Sequence, residues 1–258
     1  MSTSDYQRRT KYRASLMGPD YFVLLHLKEF LESNLREQCS RNMRVADVGC
    51  GEQPYRALVQ ELGGNYTGFD IGQNRSGTVD RLGPITDIPA EDNAFDLVLC
   101  SEVLEHTIDS ARSMSELARI LRPGGRVILT TPFAYPLHEE PNDYVRVTPQ
   151  AVCVLAERTG LRIVKLEQTG NELEVLATVW CNLWSRLEAI QVPDARRIIA
   201  AGMRVPVNIV VAVMSRLVGQ RLPRKYYLST LCLLEKPVDY DIAVRRSNDK
   251  FYSNVPRP

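Results

Sequence analysis

Four short β-rich runs recur along the first half of the chain, at residues 44–48, 66–71, 95–100 and 126–131, each separated from the next by helical or turn-like sequence. That alternation restricts the chain to an α/β architecture, because successive strands joined by crossovers pair in parallel and need helices over both faces of the sheet. Between the third and fourth runs, ARSMSELARILRPGG sets Met114, Leu117, Ala118 and Leu121 on one stripe before Pro123, Gly124 and Gly125. A crossover helix is expected there, stopped by the Pro-Gly-Gly break, with the strand resuming at Arg126. Farther on, Thr148 and Pro149 read as an N-cap and first-turn proline, Gly160 as a helix stop, and LRIVKLEQ as the next strand. YYLSTLCLLEK, from Tyr226 to Lys236, reads as a final strand.

Two segments fall outside this alternation. From Tyr21, Val23, Leu27, Phe30, Leu31 and Leu35 lie at helical spacing. From Asn171 to Leu222 a long helical tract, divided by Pro193 and Pro206, carries Leu173, Leu176, Trp180, Leu183, Leu187 and Ile190 on one face. The expected organisation is an N-terminal arm and helix (1–42), a core (43–170), a helical insertion or lid (171–224), a final strand completing the core (225–238) and a polar tail (239–258).

The 258 residues hold 32 Lys and Arg against 31 Asp and Glu, so no global field favours a nucleic acid or a strongly acidic partner. The basic residues are dispersed along the chain and offer a nucleic acid no concentrated patch. Six cysteines without a CxxC pair fit a reducing, cytoplasmic location, and the polar N-terminus lacks the apolar stretch of a secretory signal. The longest apolar stretch, Val205 to Val218, is interrupted by Asn208, Ser215 and Arg216 and predicts no membrane span.

The chemistry concentrates where a doubly wound sheet places it, just beyond the strand ends. The first run closes as VADVGCGEQPY. Gly49 and Gly51 allow a sharp turn and close approach to a ligand, and Asp47 offers an acceptor for an amino group. The second run ends in GFD, and Asp70, 19 positions after Gly51, is spaced to accept both hydroxyls of an adenosine ribose. NAD and S-adenosylmethionine share that diol. Pro54 stands where a dinucleotide loop has its third glycine, and a pyrophosphate needs backbone N–H groups that proline lacks. The loop suits an amino-acid tail better than a pyrophosphate. An NAD(P)-dependent enzyme and a non-catalytic S-adenosylmethionine-binding or partner-binding module are the rival readings.

VADVGCGEQPY, GFDI, ITDIPAEDNAFDLVLCSEVLEH and ELARILRPGGRVILTTP, in that order and spacing, resemble the class I S-adenosylmethionine-dependent methyltransferases, particularly the type 11 group, over residues 43–170. The resemblance implies a Rossmann-like, seven-stranded, mostly parallel sheet with helices on both faces and an antiparallel last strand, for which 226–236 is the candidate. It implies that Asp47, Gly49 and Gly51 line the methionine end, Asp70 holds the ribose, Ile71 packs on the adenine, and Ser101 and Glu102 lie beneath the sulfonium. Where relatives often carry an acidic residue that reads the adenine amine, this chain has Pro84, leaving Asp87 or the backbone near Ile85 for that place.

Methyl transfer to a hydroxyl needs an aligned acceptor and a general base. His106, in SEVLEH, and His138, in PFAYPLHEEPNDYVRVT, follow the third and fourth runs and are the candidate bases, with His138 preferred. His138, Glu139, Glu140, Asp143, Tyr144 and Arg146 crowd into nine residues, more polar groups than loop closure requires. Their spacing matches no metal motif, and no metal is expected. His26 reads as structural. The expected function is methyl transfer to a small-molecule or saccharide-type acceptor, with oxygen the target atom. The helical tract is compatible with packing, a homo-oligomer contact or peripheral membrane contact, the first being favoured.

Overall fold

The computed structural model of the chain describes residues 14–189, 195–222 and 225–240. The expected arm up to residue 13, the break at Pro193 and the tail beyond residue 240 lie outside the described residues. The described chain divides into two compact units. The larger comprises Leu31–Thr131, Glu139–Glu167 and the residues from Thr230, and the smaller comprises the chain up to Phe30 with Pro132–His138 and Gln168–Ser229.

The larger unit is built on a seven-stranded sheet. Its strands are β1 (Arg44–Val48), β2 (Asn65–Asp70), β3 (Arg81–Leu82), β4 (Phe95–Ser101), β5 (Leu121–Pro132), β6 (Arg162–Thr169) and β7 (Ser229–Glu235), in the order β3-β2-β1-β4-β5-β7-β6. The five strands from β3 to β5 are parallel, and Asp47 of β1 lies between Gly68 of β2 and Leu99 of β4. At one end of β7, Lys236 N–H donates to Gly125 O (2.9 Å) and Arg162 pairs with Glu235 (2.6 Å). At the other, Phe133 N–H donates to Leu228 O and Leu228 N–H to Thr169 O, both at 2.7 Å. High residue numbers on β7 thus face low numbers on β5 and β6, so the last strand runs antiparallel to both neighbours. The helices are α1 (Tyr21–Gln38), α2 (Arg56–Glu61), α3 (Ser110–Ile120), α4 (Pro149–Thr159), α5 (Glu172–Ala189) and α6 (Ala195–Val218).

Three residues of the expected stripe, Met114, Leu117 and Ala118, form the core face of α3 and are fully buried with Ile120 among Val98, Cys100, Val127 and Leu129 of the sheet, while the fourth, Leu121, lies past the helix as the first residue of β5. Helix α4 starts and stops as its sequence implies. Thr148 Oγ1 accepts the Ala151 N–H at 3.1 Å, Pro149 occupies the first turn, and Gly160 closes the helix with φ 68°. The Pro-Gly-Gly break behaves differently. Strand β5 begins at Leu121, paired with Phe95, and absorbs residues 122–125 as an irregularity before Arg126 pairs with Leu97. Gly124 and Gly125 exchange hydrogen bonds with Lys236 there, so the break bends a strand instead of preceding one.

The sheet order reverses between β1 and β4, and the crevice of such a sheet lies beyond the strand ends at that point. The loops after β1, β2 and β4 are the ones this topology brings there.

In the smaller unit α5 and α6 pack together, linked by Cys181 Sγ to Asn208 Oδ1 (3.5 Å) and Asn171 Nδ2 to Ser215 Oγ (3.1 Å). Buried Arg204 and Asn208 of α6 donate to the carbonyls of Met17 and Leu16 at 3.0 and 2.8 Å. His26 Nε2 meets Glu174 at 2.9 Å, a structural contact as expected. Among the described residues no helix is long and apolar enough to cross a membrane.

Candidate active site

The loop after β1 is folded by its two glycines in different ways. Gly49 (φ 73°) donates to Phe69 O at 2.8 Å, and a Cβ there would lie 2.3 Å from Val103 Cγ2. Its role is close packing against the segment after β4. Gly51 (φ 50°) has nothing within 4 Å of the place its Cβ would occupy, so it faces open space. Its N–H donates to Asp70 Oδ2 at 2.8 Å, which ties the end of β2 to the loop after β1.

Asp47 is only 4% exposed, and Tyr66 Oη donates to its Oδ2 at 2.5 Å. Burial pushes its carboxyl up to about 7, with the Asp70 charge adding to the rise and the Tyr66 hydroxyl opposing it. A buried carboxyl held near neutrality becomes a strong partner once a cation is placed against it. Beyond Asp70, Ile71 is 80% exposed at a strand end where a planar apolar group can cover it. Gln53 adopts φ 58° and its Nε2 donates to Thr78 O at 2.8 Å.

Past β4, Ser101 Oγ lies 2.9 Å from Thr130 Oγ1, and Glu102 N–H donates to Thr130 O at 3.0 Å. Glu102 takes φ 56°, a left-handed conformation that costs a non-glycine residue about 1–3 kcal/mol and recurs at functional sites. Asp87 is exposed at the end of a turn in which its N–H donates to Pro84 O at 3.0 Å. The structure therefore places Asp47, Gly49, Gly51 and Asp70 at the adjoining ends of the paired strands β1 and β2, with Ile71 following directly, and puts Asp87 on a separate turn.

The segment between β2 and β3 escapes sequence reasoning. Asn74 Nδ2 donates to Gly51 O at 3.0 Å, Gly68 N–H to Asp80 Oδ2 at 2.7 Å, and Arg56 clamps both Asp80 oxygens at 2.7 and 2.6 Å. Asn74 thus ties this segment to the glycine loop, and Asp80 ties it to β2 and to Arg56 of α2. In sequence, IGQNRSGTVD reads only as a polar turn.

A second cluster gathers around the 3-10 turn Leu104–His106. Glu105 is fully buried, and its carbonyl accepts the N–H groups of Tyr144 (2.8 Å) and Val145 (3.3 Å). His106 Nδ1 lies 2.8 Å from Asn142 O, so in the neutral ring that nitrogen carries the proton and Nε2 the lone pair. Nε2 is 3.7 Å from Glu105 Oε1 and 3.9 Å from Glu139 Oε2. Arg146 holds Asp143 through two hydrogen bonds; that pairing, followed by the charges of Glu105 and Glu102, raises the guanidinium further above its ordinary value. Sequence reasoning found the crowded 138–146 loop but missed Glu105, which looks like a helix-surface residue in SEVLEH. His138 belongs to the smaller unit, where its Nδ1 lies 3.2 Å from Pro136 O and its ring meets Tyr135 edge-on at 5.3 Å. It has the same tautomer preference as His106.

Residues 46–129 match the family described as "Methyltransferase domain". The chain carries a class I S-adenosylmethionine-dependent methyltransferase domain. A ubiquinone biosynthesis O-methyltransferase of Aeromonas salmonicida is 29% identical over 151 residues, 46% of this chain and 63% of that protein. The match thus spans less than two thirds of this relative's length. A putative sarcosine dimethylglycine methyltransferase from Galdieria sulphuraria superposes with a TM-score of 0.57 at 19% identity, over 83% of this chain and 87% of that one. A Haemonchus contortus phosphoethanolamine N-methyltransferase solved with S-adenosyl-L-methionine gives 0.53 at 16% identity, over 92% and 60%. These two likenesses concern the fold. The methyltransferase domain supplies a fitting cradle for its donor: a buried carboxyl for an ammonium, a strand-end carboxylate for a diol, an exposed isoleucine for a purine and open space above Gly51.

Proposed function

We propose that the protein transfers a methyl group from S-adenosylmethionine to a hydroxyl of a small-molecule acceptor, of which a saccharide-type compound is one class. The observation that carries this reading is the Gly51–Asp70 hydrogen bond, which ties a strand-end carboxylate to a glycine turn whose outer side is open, with buried Asp47 on the strand that leads into that turn. When bound, the donor supplies an electrophilic methyl group on a good leaving group. Asp47 takes the ammonium, Asp70 the ribose hydroxyls and Ile71 one face of the adenine. Ser101 and Glu102 sit nearest the transferred methyl, and Asp87 or the backbone at Ile85 reads the adenine amine. The protein's remaining tasks are to align the acceptor, exclude water and remove its proton.

His138 is the preferred base and His106 the second candidate, each through Nε2, because in both rings the Nδ1 proton serves a backbone carbonyl. We read residues 171–224 as the addition that selects the acceptor, inserted between the core of 43–170 and its final strand at 225–238. A homo-oligomer is compatible with this arrangement.

Titration calorimetry with S-adenosylmethionine, S-adenosylhomocysteine and NADH, run in parallel on Asp70→Ala, tests the donor site. Binding of the first two that weakens at least tenfold in the variant is the expected result; binding of NADH instead would replace this reading with a nicotinamide one. With an accepted substrate in hand, His138→Ala should reduce kcat by a factor of about 100 or more, the usual range for a lost general base, and leave S-adenosylhomocysteine affinity unchanged. If His106→Ala shows that loss and His138→Ala does not, the base is His106.

A further inference from the structure

Helix α6 is turned inside out with respect to an ordinary helix of a water-soluble domain. Its buried side carries Arg204 and Asn208, with Ser215 half-buried, each engaged in a hydrogen bond within the smaller unit. Ile209, Val210, Val213, Met214 and Leu217 are exposed, Val210 to 58% and Leu217 to 68%. At about 3.6 residues per turn, these five fall on the side opposite Arg204, Asn208 and Ser215. The partner helix repeats the pattern. On α5, Glu174, Thr178 and Cys181 are buried, while Leu176, Val179, Trp180 and Leu183 are exposed.

Single exposed apolar side chains are ordinary, but stripes of this length on two helices that pack together mark a contact surface. The charge around the stripe selects the partner. Residues 195–225 contain seven Arg and Lys and no Asp or Glu, in a chain whose overall charge is +1. Arg216, Arg221 and Lys225 are exposed beside the apolar stripe. A second copy laid on this face would bring like charges together, whereas an anionic surface gains from them. Neither α5 nor α6 is long and apolar enough to cross a bilayer, and Pro206 and Arg204 interrupt α6. An apolar stripe flanked by Arg and Lys on a non-spanning helix has the build of an interfacial element.

We propose that the outward face of α6, extended by α5, docks on an anionic lipid bilayer. The apolar stripe enters the headgroup boundary, and the basic side chains engage lipid phosphates. This inference rests on the helical unit alone and is independent of the donor-site reading.

The test is co-flotation of the full chain with vesicles of phosphatidylcholine, and of phosphatidylcholine mixed with an equal part of phosphatidylglycerol. Wild type should float with the anionic vesicles, stay behind with the neutral ones, and be released by added salt. Val213→Glu combined with Leu217→Glu should lower the bound fraction at least tenfold, with an unchanged thermal midpoint and unchanged S-adenosylhomocysteine affinity. Arg216→Glu combined with Arg221→Glu should abolish the anionic preference without touching the apolar stripe, and it decides the matter should the first variant fold poorly. Absence of wild-type flotation, or equal flotation with neutral vesicles, overturns the proposal. A wild-type dimer in light scattering that the Val213 and Leu217 changes convert to monomer would assign the face to a second copy instead.

Discussion

Helices α3 and α6 are built by opposite rules. On α3 the apolar positions Met114, Leu117 and Ala118 are buried against the sheet and Arg112 and Ser115 face outward, whereas α6 buries Arg204 and Asn208 and exposes Val210, Val213 and Leu217. Both helices are amphipathic by periodicity, and periodicity alone does not tell which face is inside. What separates them is what each buried face meets. The apolar side chains of α3 meet apolar side chains of the sheet, among them Val98, Val127 and Leu129. The surroundings of α6 offer backbone carbonyls at Leu16 and Met17 that a buried arginine and asparagine satisfy. An apolar face left outside such a helix answers to something beyond the chain.

The largest expected effect breaks the comparison on the α3 side. Leu117→Ala removes a fully buried side chain and should cost about 2–5 kcal/mol. Urea unfolding followed by circular dichroism would read this as a lower midpoint with an unchanged slope. A loss below 1 kcal/mol would mean that α3 is not the core helix its burial indicates.

The same contrast governs how much was legible in the sequence. Strand β1 and helix α4 are legible because residues with one strong conformational preference close them, Gly49 after the strand and Thr148 and Gly160 at the two ends of the helix, while β2, β4 and α3 follow from their apolar patterns. Strand β3 did not, because two exposed residues at a sheet edge, Arg81 and Leu82, carry no periodic signal. The start of β5 was displaced because a Pro-Gly-Gly triplet reads as a terminator, and only pairing with Lys236 keeps it within the sheet. At the site, Asp47, the two glycines and Asp70 were legible as a spaced motif. Glu105, Asp80 and Asn74 were not, since their importance lies in partners 12 to 40 residues away in the chain.

The next effect concerns Asp47, a polar group buried within the sheet unit as Arg204 is within the helical one. Its carboxyl is raised to about 7, so the neutral form is favoured by folding. A raised folded-state value means a stabilising contribution that is fully present below the ordinary carboxylate range and is lost as pH rises toward 7. Wild type should therefore lose stability relative to Asp47→Asn as pH climbs from 4 to 7, by up to about 1.4 kcal/mol per pH unit, and the difference should level off above that. Ligand binding supplies the complementary sign. An ammonium placed against Asp47 releases its proton, so calorimetry of S-adenosylhomocysteine at pH 6.5 should show proton uptake by the buffer that Asp47→Asn abolishes.

Smaller again is the contrast between the two glycines of the same turn. Alanine at either residue carries about 1–2 kcal/mol of left-handed strain, but at Gly49 its Cβ also collides with Val103, whereas at Gly51 it enters open space. Gly49→Ala should be the less stable variant in thermal unfolding, and Gly51→Ala the one whose loss shows mainly in donor affinity. Equal stability of the two would contradict the division of labour between packing and access.

Smallest of all is the effect expected on the α6 side. Val213→Ala trims a half-exposed valine that contributes little to the folded state, and alanine is the better helix former. Urea unfolding should place it within about 0.5 kcal/mol of wild type, against the several expected for Leu117→Ala. The two substitutions are alike in chemistry and sit on faces with similar periodicity, so the ratio of their effects measures directly which face each helix turns inward. A large loss at Val213 would mean that this side chain is buried in the folded protein in solution, and the outward stripe would then be a contact of the chain with itself. A negligible loss leaves the stripe unsupported by the chain's own packing. Retention of five apolar side chains there then has to be explained by what the face meets outside the molecule.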